Sequence, residues 1–158
     1  MSIFMHTVER IYLRSKNNLV FYDQLTGVYN NNWLMLIGQE KYRNKNSYVT
    51  VLDLDGLKNI NDTYGHLYGN NVIYNLSNEL KNLSMYDFEY LDIVRFGGDE
   101  FILFTDINPS NYIKTNVTSK ISFGTIYKSY NMTVETAINN ADLQMYDCKN
   151  RKKEKGFN

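Results

Sequence analysis

The chain has 158 residues, 43% of them hydrophobic, which suffices for one core of ordinary domain size. Its 17 Lys plus Arg balance its 17 Asp plus Glu, and this argues against a generic nucleic-acid binder, because affinity for a phosphate backbone needs a basic excess. A single cysteine, Cys148, excludes an internal disulfide and suits a reducing compartment. No apolar run approaches the roughly 20 residues that span a bilayer, and the opening residues lack a signal peptide's apolar core, so a cytoplasmic protein without a membrane segment is expected.

Taken in chain order, Phe4, Val8, Ile11 and Tyr12 recur at helical spacing and predict an amphipathic helix over residues 3–17. Residues 1–20 are therefore assigned to an N-terminal helix and residues 21–158 to a single globular domain. The apolar stripe of that helix needs cover, either from its own domain or from a second copy. Asp23 to Gly27 is turn-like, and Asn30 or one of its neighbours is placed to cap a helix bearing Trp33, Leu34 and Ile37. Tyr48 to Leu54 reads as an apolar strand that finishes in Asp53 and Asp55, which alternation puts on one face. Carboxylates at such a strand end, followed at once by a helix, suit ligand binding, and their hard oxygens suit Mg²⁺.

Leu57, Ile60 and Tyr64 then mark a short helix that Gly65 ends. A second helix is expected to open at Gly69-Asn70-Asn71 and to bury Val72, Ile73, Leu76, Leu80 and Leu83. In Arg95-Phe96-Gly97-Gly98-Asp99-Glu100-Phe101 two glycines and two acids stand between apolar runs. The glycines predict a two-residue hairpin turn with positive backbone angles. Alternation would send Asp99 and Glu100 to opposite faces unless the turn distorts the strand. A turn or two of helix is expected around Pro109 to Lys114, a strand from Lys120 to Tyr127, and a long helix from about Thr133. That last helix carries Val134, Ile138, Ala141, Met145 and Cys148 on one face, with Cys148 as a small core residue. This order fits an α+β, ferredoxin-like (palm-type) sheet containing antiparallel strands, with its flanking helices on one face.

Four separated stretches resemble the motifs of the GGDEF domain family, the catalytic module of diguanylate cyclases, in the family's order. Asp23 to Asn30 is similar to D-x-L-T-G-L-x-N. Asp53 to Gly69 is similar to D-I-D-x-F-K-x-I-N-D-x-x-G-H-x-x-G. Arg95 to Phe101 carries the G-G-D-E-F signature, and Ala141 to Lys149 resembles the closing A-D-x-A-L-Y-x-A-K helix. The resemblance implies condensation of two GTP into cyclic di-GMP with release of pyrophosphate, using Mg²⁺, or Mn²⁺ in its place. It implies that Asp53, the Leu54 carbonyl, Asp99 and Glu100 hold metal, and that Asp99 or Glu100 takes the proton of the 3′-hydroxyl. By the same resemblance Leu57, Lys58, Lys149 and Lys153 contact phosphates and Asn61 and Asn70 the base. Since each domain of the family binds one triphosphate, a homodimer follows from the chemistry.

Several positions depart from the family pattern. Asn70 stands where an aspartate usually pairs with the two donors of the guanine edge; an amide offers one acceptor and one donor, which suits adenine better. Asparagine also caps helix starts well, so a structural role for Asn70 stands beside the selective one. Asn31 and Asn32 replace arginines, Lys152 replaces a glycine, and Lys153 replaces an arginine and keeps charge without bidentate geometry. Phe88-Glu89-Tyr90-Leu91 occupies the place of an inhibitory R-x-x-D product site, so feedback through that site is not expected. The segment between Phe104 and Ile121 is short for the family. A cyclase with a different product, adenine-containing or linear, and a silent nucleotide-binding domain are the alternatives these departures raise.

Overall fold

The computed structural model describes residues 20–156; the expected N-terminal helix lies outside them. The elements run β1 (Tyr29–Asn30), α1, β2 (Ser47–Leu54), α2 (Leu57–Tyr64), α3 (His66–Asn82), β3 (Leu91–Arg95), β4 (Glu100–Thr105), α4 (Ser110–Asn116), β5 (Ile121–Lys128) and α5 (Val134–Glu154). Helix α1 joins Asn31–Trp33 and Gln39–Lys41 through a π-helical stretch, Leu34–Gly38. Its start is capped as expected: the Asn30 side chain accepts from the Trp33 amide at 3.1 Å.

One mixed five-stranded sheet has the order β1-β3-β4-β2-β5. Strand β1 runs parallel to β3, and the pairs β3/β4, β4/β2 and β2/β5 are antiparallel. From β3 to β5 this is the ferredoxin-like arrangement. The flanking helices lie on both faces, not on one. Strand β2 is buried on both sides, so a single layer of helices could not cover it. Val49, Val51, Val94, Ile102 and Phe104 pack against Trp33 and Leu34 of α1 and against Val134, Ala137, Ala141 and Met145 of α5. Leu52, Leu54, Ile93, Phe101 and Leu103 pack on the opposite face against Ile73, Leu76 and Leu80 of α3 and Ile113 of α4.

Several local expectations are corrected. Helix α3 opens at His66, directly after Gly65, rather than at Gly69. Gly65 takes the left-handed side of backbone space, φ 86°, and so ends α2 and turns the chain at a single residue. Asn70 is therefore inside the helix and is not its cap. The hairpin glycines do not adopt positive φ. The connection is the longer loop 96–99, closed by the Phe96 amide donating to the Glu100 carbonyl at 2.9 Å. Tyr64, marked in the sequence with Leu57 and Ile60, is exposed and lies against Tyr68. Cys148 is half-buried rather than part of the core.

Helix α5 is fixed to the sheet by a close approach at Gly124 in β5. A Cβ there would meet the Ala141 carbonyl oxygen at 2.2 Å and the Met145 amide nitrogen at 2.6 Å, both of them backbone that cannot yield without moving the helix. The buried Lys128 closes the end of the same strand, its ammonium donating to the carbonyls of Arg43, Lys45 and Ser129 at 3.1–3.4 Å. Gly124→Ala should destabilise the protein by about 2 kcal/mol or more, as overpacked sites do. Urea denaturation checks this, with the midpoint falling and the slope unchanged.

Candidate active site

The register of β2 against β4 places Asp53 directly opposite Glu100. Alternation puts Asp53 on the same face as Val49 and Val51, and Glu100 on the same face as Ile102 and Phe104, so both carboxylates look toward α5. Asp99 sits one residue before β4, where its carbonyl accepts the Leu54 amide at 3.2 Å. Three acids thus meet at one end of the two central strands. Asp53 is 6% exposed, and Lys149 of α5 donates to its Oδ1 at 2.7 Å. One helical turn later Lys152 reaches Asp55 Oδ2 at 2.6 Å, while Ser122 donates to Asp55 Oδ1 at 2.7 Å. The expected common face of Asp53 and Asp55 is therefore present, and α5 supplies an ammonium to each.

Burial pushes the Asp53 carboxyl upward despite the hydrogen bond from Lys149, and the charges of Asp99 and Asp55 push the same way. At Lys149 burial opposes the ammonium, but the hydrogen bond and attraction of Asp53, with Asp99 and Asp55 behind it, hold its pKa above the ordinary range. Glu100 is raised by burial and then by Asp53, Asp99 and Asp142, with only Lys149 opposing. The cluster is over-charged with acid and has one ammonium at its centre. Hard carboxylate oxygens in a field of excess negative charge fit a hard divalent cation. Among the described residues no three acid, His or Cys side chains converge tightly enough to hold an ion as they stand, and one oxygen of Asp53 is taken by Lys149.

The loop that carries Asp99 is anchored from outside. Arg95 donates through Nε and Nη2 to the Gly98 carbonyl, at 3.2 and 2.6 Å, and through Nη1 to both oxygens of Asp23 at 3.1 Å. Asp23 also accepts from the amide and hydroxyl of Thr26, at 2.9 and 2.6 Å. Burial would raise the Asp23 carboxyl, but the bonds from Thr26 and Arg95 outweigh it and hold it below the ordinary range. Arg95 and Asp23 were legible as motif letters only. Their pairing joins positions 72 residues apart, which no local pattern reveals. Lys152 and Asp142 were likewise missed as members of the cluster.

Other expected site residues lie on the α2–α3 arm. Helix α2 starts after Gly56, at φ 76°, with no side chain capping its first turn, and Lys58 on that turn is exposed. Leu57 packs into the α3 side of the core. Asn61 has its Oδ1 buried without a hydrogen-bond partner among the described residues. That atom would lie 1.9 Å from a Cβ at position 69, so Gly69 leaves the room it occupies. Asn70, next to Gly69, is exposed on α3. Lys153 is exposed and has no acidic partner among the described residues. Asp53, Asp99, Glu100 and Lys149 are thus brought together, whereas Lys153, one helical turn beyond Lys149, is exposed and unpaired among the described residues.

Residues 20–115 match the family model described as diguanylate cyclase, GGDEF domain. The chain belongs to the GGDEF domain family. It is similar to the probable diguanylate cyclase DgcT of Escherichia coli (strain K12), 36% identical over 101 residues that cover 61% of this chain and 22% of DgcT. It is also similar to the diguanylate cyclase VdcA of Vibrio cholerae, 27% identical over 158 residues, with 82% of this chain and 44% of VdcA covered. The chain spans less than half the length of these curated relatives. The fold matches the coiled coil and GGDEF domain of DgcB from Caulobacter crescentus, solved in complex with c-di-GMP. There the TM-score is 0.76 at 19% identity, covering 92% of this chain and 90% of that one. Two of the chain's three clustered acids, Asp99 and Glu100, lie in residues 97–101, where β4 begins, and the third, Asp53, lies at the end of β2.

A raised carboxyl pKa in the folded protein means that folding favours the protonated acid. The contribution of Glu100 to stability is therefore present below the ordinary glutamate value of 4.5 and is lost as pH rises through its elevated folded value. Glu100→Gln should accordingly stabilise the fold at pH 7, by ~1 kcal/mol or less after solvent screening. The gain should vanish in acid. Paired thermal melts of the two proteins across this range measure it.

Proposed function

We propose that the chain is a nucleotidyl cyclase that condenses two purine nucleoside triphosphates, GTP foremost, into a cyclic dinucleotide, cyclic di-GMP, and releases pyrophosphate. The observation that carries this reading is the Asp53–Glu100 register with Asp99 beside it and Lys149 at its centre. The names of relatives such as DgcT and VdcA, and the family to which the chain belongs, support it. GTP, divalent cations and a cytoplasmic setting go with that chemistry.

Asp53, Asp99, Glu100 and the Leu54 carbonyl would hold Mg²⁺, or Mn²⁺ in its place. The ion when bound offsets phosphate charge and makes the 3′-hydroxyl a better nucleophile. Asp99 or Glu100 would accept the hydroxyl proton. Lys149 would offer its ammonium to the phosphates. The free amides opening α2, next to Leu57, and the ammonium of Lys58 would bind the triphosphate, with Lys153 as a further cation at the rim. Asn61 would present its unpartnered Oδ1 to a donor on the base. One chain binds one triphosphate in this scheme, so the second bond needs a second chain facing the first; a homodimer is part of the proposal.

A second reading concerns the product. Asn70 is neither a helix cap nor buried, which leaves its amide free to read a base edge. Its one donor and one acceptor suit adenine, so an adenine-containing or linear dinucleotide is the alternative product. A domain that binds nucleotide without turnover is the other alternative to cyclic di-GMP synthesis. Incubation with GTP, ATP or both, in Mg²⁺ or Mn²⁺, followed by chromatography of the products, separates these readings.

We expect cyclic di-GMP from GTP, pyrophosphate release that disappears in Asp53→Ala, and binding of nucleotide that survives in that variant. Binding without any turnover by the unaltered chain would sink the enzymatic proposal. Asn70→Asp should raise the preference for GTP over ATP by about tenfold, the worth of one mispaired polar group once a bound base covers it. An unchanged preference would remove Asn70 from base recognition.

A further inference from the structure

At the outer edge of the sheet β5 has no neighbour on one side among the described residues, and a cavity of about 690 Å³, with Asp55 and Lys152 in its lining, lies along it between α4 and the end of α5. It exists because the segment joining β4 to β5 is short. Helix α4 has only seven residues, too few to cover the side of β5 on which Ile121 and Phe123 sit. These two, with Ile113 and Val117, make an apolar floor.

The rim is cationic. Lys114, Lys120, Arg151 and Lys155 line it, and among the described residues none of the four has an acidic partner. The one acid in the lining, Asp55, is already held by Lys152 and Ser122. The loop that forms one wall is held in place rather than free: Glu79 of α3 accepts from the amides of Thr118 and Ser119, at 3.2 and 3.1 Å, and from the Thr118 hydroxyl.

The geometry points to a second ligand site here, for a small organic phosphate with a flat apolar body, of mononucleotide size. The volume is that of a small-molecule pocket. The floor matches an apolar ring, and four unneutralised cations around it match phosphate oxygens as charge-assisted donors. A neutral apolar molecule would leave those cations unused, and inorganic phosphate alone would leave the floor wet. The inference is independent of the reaction proposed above, because none of Lys114, Lys120, Arg151 or Lys155 belongs to the acid cluster or to the α2–α3 arm.

Adenosine 5′-monophosphate, adenosine and inorganic phosphate, titrated separately into the full ¹⁵N-labelled chain, test it. Adenosine 5′-monophosphate should move the amide signals of Ile113, Val117, Ile121 and Phe123, and the other two should bind at least about tenfold more weakly. The double variant Lys120→Glu with Arg151→Glu should weaken adenosine 5′-monophosphate by about tenfold or more and leave the melting temperature unchanged. If that variant fails to fold, Lys114→Glu, a single exposed substitution, gives the same readout.

Signals that move only around Asp53, Lys58 and Asn61 would overturn the inference, as would equal binding of adenosine. Absence of binding by the monophosphate, with capture of the chain on phosphatidylglycerol vesicles that the charge-reversal variant abolishes, would assign the basic rim to a lipid surface instead and likewise overturn it.

Discussion

Everything in this molecule depends on the pairing of β2 with β4. The register that buries Leu52 against α3 and Val51 against α5 also sets Asp53 opposite Glu100. A shift of one residue would turn the apolar side chains of β2 toward the wrong helices and would separate the acids. The core and the site are therefore secured by the same hydrogen-bonded ladder. Collecting carboxylates at a buried strand end is unfavourable, since each raises its neighbours' affinity for protons. The fold offsets part of that cost with Lys149 and leaves the rest.

Lys149 links the two halves of the arrangement. Helix α5 is seated on β5 through the close approach at Gly124, and the same helix delivers Lys149 to Asp53 and Lys152 to Asp55. On the other side the Asp23–Arg95–Gly98 chain ties the hairpin loop to the turn before β1. The acid-bearing loop is thus held at both flanks. This is the usual condition for a site whose groups must be placed to within a fraction of an ångström.

Much of this was legible in the sequence because it is local. The apolar run ending in Asp53 and Asp55, the cap at Asn30, Gly65 as a helix stop and the periodicity of α5 each follow from one stretch of chain. Packing on both faces was not legible, because a strand buried on two sides reads as a plain apolar run and does not say how many layers cover it. The start of α3 was misplaced because Gly69 resembles a helix boundary, whereas its lack of a side chain serves the neighbouring Asn61. The hairpin glycines suggested a tight turn. The longer loop arises from the grip of Arg95 on Gly98, a contact to be found only once the strands are paired. Partnerships such as Arg95 with Asp23 and Lys149 with Asp53 join distant positions and are set by the sheet, not by any spacing.

On the proposed function, the ends of β2 and β4 form one cation-binding centre, with Lys149 holding the place of the ion. Titration of Mn²⁺ into the ¹⁵N-labelled chain, followed by paramagnetic broadening of amide signals, tests it without reference to turnover. The earliest and strongest broadening should centre on Asp53, Leu54, Asp99 and Glu100, and Mg²⁺ in excess should reverse it. Broadening centred elsewhere on the surface, with those four signals left sharp, would contradict it.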